Sequence, residues 1–194
     1  MPARSLNAAI LCVGGLIALA IAGTASAAGF QGETLLVSIP APFKLGDQGH
    51  SGPGSDIAEY IPKGETVDQW SRMVTVQVFH NLKAFDPDRF AETIRDHGPA
   101  SCPGEQGVLV KHGRERGYAA SLWLFTCPLN PQTGKPETFY DKLISGADAL
   151  YSVQYSFRST LPRDAIPSTT AFLDSVSVCD TRLPDRPCPR APAP

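Results

Sequence analysis

The stretch LYSVQYSFR, residues 150–158, decides the fold class. Apolar and aromatic side chains occupy every second position, and small polar side chains lie between them. This period of two is typical of a β-strand with one buried and one polar face. The preceding stretch TFYDKLIS, residues 138–145, predicts a second strand, and Gly146-Ala147-Asp148 predicts the turn between them. We therefore expect a β-hairpin that turns Tyr151, Val153, Tyr155 and Phe157 towards the core.

The rest of the chain predicts further hairpins with helices between them. Strands are predicted at residues 33–39, 57–61, 73–79, 106–111 and 118–126. One helix should begin at Pro87, capped by Asp86, and end at Gly98-Pro99. A second helix is predicted from Ser168 to Ser175, where Ala171 and Phe172 should be buried, and a single helical turn over residues 66–70. Hairpins without regular strand–helix alternation predict a single α+β domain, with a mainly antiparallel sheet of about six to seven strands and two packed helices.

The N-terminus predicts export. Arg4 precedes an apolar run over residues 8–22, and Ala25-Ser26-Ala27 follows it, which is the layout of a secretory signal with its cleavage site. An uncleaved anchor would need about 20 apolar residues, and this run has about 15. We thus expect a signal peptide at 1–27, a globular domain at 28–182, and a Pro-rich tail at 183–194 that does not pack.

Composition excludes two classes of partner. The chain carries 17 basic and 19 acidic residues, a net charge of −2, without a stripe of Lys or Arg, so nucleic acid is not an expected ligand. No second long apolar run follows the signal, which predicts no membrane span in the mature form.

Four cysteines follow the signal: Cys102, Cys127, Cys179 and Cys188. An even number in an exported chain predicts two disulfides, in one of three pairings. We favour Cys102–Cys127, which would join the segment after a helix to the end of a strand, and Cys179–Cys188, which would close a Pro-rich loop. Zinc is not expected, because no C-x-x-C or H-x₃-H spacing occurs and the four histidines are scattered singly. No cofactor is predicted.

No catalytic constellation is predicted. The stretch GDQGHSGPG, residues 46–54, holds four glycines and predicts a mobile loop. It imitates the hydrolase motif G-x-S-x-G around Ser51, but Pro53 occupies the fifth position. An exported hydrolase that uses this loop remains the alternative, and it requires Ser51 to lie within hydrogen-bond reach of His50, His80, His97 or His112.

A polar sheet face is the candidate binding site. Alternation predicts that Thr75, Gln77, Ser152, Gln154 and Arg158 share one face of the sheet. Two interpretations stay open: a surface that binds a ligand or partner, and an ordinary solvated face.

Three blocks of sequence carry a resemblance. EYIPKGE at residues 59–65 with Trp70 after it, GADALYSVQ at 146–154 and VCD at 178–180 resemble a pattern in small exported bacterial proteins of unknown function. The order of elements is also loosely similar to the Mog1/PsbP type of α+β fold, which serves as a binding or assembly module. The resemblance implies no catalytic residue. With the signal and the cysteines, it leads us to expect a non-enzymatic periplasmic or secreted protein that binds an envelope or extracellular component.

Overall fold

Residues 30–189 are the part of the chain that the computed structural model describes, so the predicted signal peptide lies outside it. The elements follow one another in this order: β1 Glu33–Leu36, β2 Phe43–Gly52, β3 Ser55–Pro62, β4 Arg72–Phe79, α1 Pro87–Ser101, β5 Gln106–Glu115, β6 Tyr118–Asn130, β7 Lys135–Ser145, β8 Leu150–Phe157, a short 3₁₀ turn Arg163–Ala165, α2 Ile166–Ser175 and β9 Ser177–Asp180.

Seven strands form one antiparallel sheet in the order β2-β3-β4-β8-β7-β6-β5, and β1 pairs with β9 in a second, small sheet. The α+β prediction is therefore confirmed. The β7–β8 hairpin turns at the predicted residues, where the Gly146 N–H donates to the Ala149 carbonyl. The Glu33 carboxylate also accepts from the backbone N–H groups of Ala147 and Asp148, at 2.7 and 3.0 Å, which ties β1 to this turn.

The main sheet is covered on both faces. On one face, the inward side chains of β4 and β8 pack with Leu173 of α2 and with Val178 of β9. On the other face, α1 lies over β5, β6 and β7, where Ala91 meets Trp123, Phe125 and Leu143. Gly107 of β5 leaves room beneath the helix, because a Cβ there would lie 2.6 Å from the Phe125 ring of β6 and 3.2 Å from Arg95 Cβ of α1.

Both helices depart from their predicted limits. Helix α1 is capped by Asp86 as predicted, but it continues through Pro99 to Ser101. Its end lies at the Cys102–Cys127 disulfide, so a covalent tie to β6 holds the last turn against the breaking tendency of proline. Helix α2 begins at Ile166 and buries Thr169 and Leu173, while Ala171 is exposed, contrary to prediction. Its few apolar residues define the buried stripe poorly.

The prediction of a mobile loop at residues 46–54 is wrong. Most of this stretch belongs to β2, an edge strand, and the turn to β3 lies at Pro53-Gly54, where Gly54 has a φ of +74°. Glycine has a low strand propensity, but backbone pairing with β3, such as Gly49 opposite Ile57, forms the strand all the same. The helical turn predicted at 66–70 is an irregular segment instead.

The segment after β9 packs more than its prolines predict. The structure has the favoured disulfides Cys102–Cys127 and Cys179–Cys188, and the second holds residues 181–188 in a closed loop. The Arg186 guanidinium lies 4.1 Å from the centre of the Tyr118 ring. The backbone carbonyl of Arg186 accepts a hydrogen bond from the Asp180 N–H. Residues 183–189 are thus held to the domain, contrary to the expectation of an unpacked tail. No helix within residues 30–189 is long and apolar enough to cross a membrane.

The opposite edge of the main sheet is β5. Val108, Leu109 and Val110 are all exposed on it, and a bulge interrupts its pairing with β6 between Leu109 and Lys111.

Candidate functional site

Four of the five predicted face residues lie together. Thr75 of β4 is directly opposite Gln154 of β8, and Gln77 is opposite Ser152. The face is less solvated than expected, because Thr75 is 7% and Ser152 only 1% exposed. Arg158 follows β8 and lies further along the strand direction, beside different neighbours.

The centre of this face is a residue that the sequence analysis missed, Asp141 of β7. Its side chain is fully buried and accepts from Ser152 Oγ at 2.8 Å and from Gln154 Nε2 at 3.4 Å. Burial raises the pKa of Asp141 to about 6, although the two hydrogen bonds act in the opposite direction. The β7–β8 register places Asp141 opposite Gln154, and only that register could have indicated the contact.

The remaining polar groups of the face bond to one another. Gln77 Nε2 donates to Ser51 Oγ at 3.2 Å, and Ser51 Oγ lies 2.8 Å from Ser55 Oγ. Directly opposite residues continue from Asp141 across the sheet. Gln154 of β8 is followed by Thr75 of β4, Glu59 of β3 and Asp47 of β2. The pKa of Glu59 is raised by burial and by the neighbouring Asp47 charge. Several polar side chains of the central face thus bond to one another, and two acidic residues, Glu59 and Asp47, lie on the strands towards the β2 edge.

Ser51 does not have the partner that a hydrolase requires. Each imidazole is engaged elsewhere within residues 30–189: His50 and His80 contact Asp56, His97 contacts the Thr93 carbonyl, and His112 contacts Asp88. Ser51 is therefore bonded to a second serine and to an amide, neither of which can act as its general base.

An open cleft lies at the Arg158 end of the same face. We call it the Trp70 cleft; its volume is about 620 Å³. It is lined by Glu65, Asp68, Gln69, Trp70, Ser71, Gln132, Thr133, Lys135 and Arg158. The segment before β4 forms one wall and the β6–β7 turn forms the other. Glu65 and Trp70, which belong to the first block of the resemblance, thus meet Arg158 of the predicted face.

Arg158 is held firmly in this cleft. Its guanidinium lies 4.1 Å from the centre of a Trp70 ring, a cation–π contact. Its Nη1 donates to the Asp68 carbonyl at 2.8 Å, and its Nε lies 3.5 Å from Glu137 Oε1. The side chain is only 13% exposed. The Trp70 ring is half-buried, whereas Trp123 belongs to the core under α1.

Two carboxylates at the cleft, Glu65 and Glu137, accept hydrogen bonds from the protein, whereas both cations keep free donors. The Glu65 carboxylate accepts from the Ser71 N–H and hydroxyl, both at 2.7 Å. Behind the cleft, Glu137 accepts from Asn130 and Thr133. By contrast, Arg158 Nη2 and Lys135 Nζ donate to no protein group in the described part of the chain. Asp68 differs from Glu65 and Glu137 because it is exposed to solvent. The cleft therefore offers hydrogen-bond donors.

Comparison with known proteins finds structural likeness only. No family model and no curated protein matches the chain. Among solved structures, cyanobacterial PsbP (CyanoP) from Synechocystis has a TM-score of 0.44 at 13% identity, over 82% of this chain and 98% of that one. The Ran-binding protein Mog1p of Saccharomyces cerevisiae has a TM-score of 0.40 at 9% identity, over 74% and 85%.

A third similar structure is LpqN of Mycobacterium tuberculosis, described as involved in cell envelope biogenesis, with a TM-score of 0.39 at 11% identity, over 76% and 84% of the two chains. The loose similarity to the Mog1/PsbP type of fold, expected from the order of elements, is thus found. Likeness at this level carries no argument about function.

Proposed function

We propose that this chain is an exported, non-catalytic binding protein that holds an anionic segment of an envelope or extracellular component in the Trp70 cleft. The observation that carries the proposal is the imbalance in the cleft: within residues 30–189, Arg158 Nη2 and Lys135 Nζ have no protein acceptor, whereas the Glu65 and Glu137 carboxylates already accept hydrogen bonds. Export is supported by the predicted signal peptide and by the two disulfides.

A carboxylate-rich segment fits the donors best. The Nη2 group of Arg158 can donate charge-assisted hydrogen bonds to a carboxylate, and the stacking of the guanidinium on Trp70 holds it in place for that contact. Lys135 adds a second positive charge from the other wall of the cleft. Because the cleft is open and polar, it suits an extended segment of a larger molecule better than an enclosed small ligand.

Titration with a defined peptide tests the cleft. The probe is hexaglutamate, the control peptide is hexaglutamine, and the readout is the fluorescence of Trp70, one of two tryptophans in the chain. Trp123 is buried under α1 and gives a constant background. We expect saturable binding of hexaglutamate only, which weakens as salt is added, because exposed charges are screened.

Charge variants test whether the side chains of the cleft determine the affinity for hexaglutamate. Arg158→Met should weaken binding about tenfold or more, because the charge-assisted hydrogen bonds of the guanidinium are lost. Asp68→Asn should strengthen binding a few-fold, since it removes a repelling charge and leaves the backbone carbonyl that Arg158 uses. Arg89→Met, an exposed cation on α1, is the matched control and should have no effect. Equal binding of both peptides, or unchanged affinity in both cleft variants, would refute the proposed site.

Export is tested separately on protein recovered from the cell envelope and medium. Mass spectrometry should find an N-terminus near residue 28 and two disulfides. An intact Met1 together with four reduced thiols would refute export and leave the cleft experiment unaffected.

A further inference from the structure

A second, more enclosed cavity lies on the opposite face of the main sheet, between β5–β7 and α2. Its volume is about 180 Å³. One water needs only about 10–15 Å³ of this kind of volume, so the cavity has room for a small organic ligand. Ala120, Leu122 and Leu173 give it apolar walls, and Lys142 brings a charge to them.

Lys142 is the unusual residue of this cavity, because its side chain is only 3% exposed. Its Nζ donates to the Val176 carbonyl at 2.9 Å and lies 2.6 Å from Glu115 Oε2. An ammonium group has three N–H donors. Apart from these two contacts, Nζ has no protein partner within residues 30–189, so one donor remains for a group in the cavity.

Stability alone does not account for this arrangement. Burying an ammonium is costly even beside a partly exposed carboxylate such as Glu115, and apolar side chains of similar volume often stabilise a fold as well or better. The space beside Lys142 also stays open, because Gly113 and Ala120, which are directly opposite each other on β5 and β6, present almost no side chain. A buried ammonium beside open space is the arrangement of a binding site.

The mouth of the cavity can open and attracts anions. Lys111 Nζ on β5 lies 3.4 Å from Asp174 Oδ1 on α2, and both side chains are largely exposed. An exposed pair of this kind contributes little to stability, so it separates easily. Three cations, Lys111, Arg114 and Lys142, line the cavity with two carboxylates, Glu115 and Asp174. A ligand with one negative charge therefore balances the site.

We infer that this cavity binds a small aliphatic carboxylate. Its carboxylate group accepts a hydrogen bond from Lys142 Nζ, and its carbon chain lies against Leu122 and Leu173. The site is independent of the Trp70 cleft, which lies on the other face of the sheet, so either can fail without the other.

Titration with butyrate, which has six non-hydrogen atoms, tests the inference. Backbone amide shifts of the purified protein are followed by NMR, with butyramide as the neutral control and sodium chloride to match ionic strength. We expect saturable shifts in the cavity-facing parts of β5, β6 and α2 with butyrate only. Equal, non-saturating shifts with butyrate and butyramide would overturn the inference.

Three variants locate the binding. Lys142→Met should weaken it about tenfold or more, because a hydrogen bond to a charged group is lost. Glu115→Gln should tighten it, since it removes the carboxylate that competes for the ammonium. Ala120→Leu fills the cavity without changing any charge, so it should abolish binding. This variant tests the site even if Lys142→Met does not fold. Wild-type affinity in Ala120→Leu, or weaker binding in Glu115→Gln, would contradict the site.

Discussion

Replacing Asp141 by asparagine should remove a pH dependence from the stability of the fold. The side chain is fully buried, and burial raises its pKa from the ordinary 3.8 to about 6. The folded state therefore binds this proton more tightly than the unfolded state does. The stability that comes from the protonated carboxyl is fully present below about pH 4 and is lost as the pH rises to about 6.

The magnitude follows from the pKa difference. A shift of one unit corresponds to about 1.36 kcal/mol, so a shift of about two units makes the wild-type protein roughly 3 kcal/mol less stable at pH 7 than it would be with Asp141 neutral. Asparagine has the same shape and carries no charge, but Ser152 and Gln154 donate to different oxygens of Asp141, so the single amide oxygen keeps only one of these two contacts. Its amide N–H₂ needs a new acceptor, which costs about 1–2 kcal/mol. We expect a net gain of about 1–2 kcal/mol at pH 7 and a net loss of similar size near pH 4.

Urea unfolding between about pH 4 and pH 7 measures this effect as the difference in free energy of unfolding between Asp141→Asn and wild type. The subtraction cancels other titrating groups, such as Glu59 and Glu105, whose pKa values burial also raises. Gln132→Asn, an uncharged substitution at an exposed site, is the control and should give a flat difference. A flat difference for Asp141→Asn, or one that falls with rising pH, would refute the reasoning.

Three further predictions concern stability. Ser152→Ala should cost about 1–3 kcal/mol at pH 7 and less at pH 4, because it removes a 2.8 Å hydrogen bond to the ionised Asp141; equal costs in urea at the two pH values would contradict this. Replacing the Cys102–Cys127 pair by alanine should cost about 3.5 kcal/mol, and replacing Cys179–Cys188 about 2.5 kcal/mol, since the closed loops differ in length; calorimetry showing the reverse order would count against a chain-entropy effect. Gly107→Ala should cost about 1–3 kcal/mol, because its Cβ would lie 2.6 Å from the Phe125 ring, whereas Gly49→Ala, with no atom within 4 Å, serves as a control in thermal unfolding and should change little.

Local patterns predicted much of the fold. The alternation in residues 150–158 and the turn at 146–148 predicted the central hairpin, and the cap at Asp86 predicted the start of α1. The stretch 46–54 was misread because glycine-rich sequence has little preference for a strand. Its pairing partner, β3, determines its conformation, and that pairing cannot be seen in the stretch itself.

The site was harder to predict because it depends on contacts between distant parts of the chain. Thr75, Gln77, Ser152 and Gln154 were correctly placed on one face, since alternation alone decides that. Asp141 was missed because its contacts with Ser152 and Gln154 depend on the register between β7 and β8. The Trp70 cleft depends on a hydrogen bond between Arg158 and Asp68, which are 90 residues apart.

The β5 edge has a consequence for how this protein behaves in concentrated solution. Three consecutive exposed apolar side chains on an edge strand, whose outer side has no neighbouring strand in the main sheet, are a template for another strand, and the bulge between Leu109 and Lys111 and the charge of Lys111 interrupt that template. We therefore expect self-association at high concentration to depend on these few residues of the β5 edge. The thermal stability of the fold depends instead on the interior of the sheet. Substitutions that improve one of these properties need not alter the other.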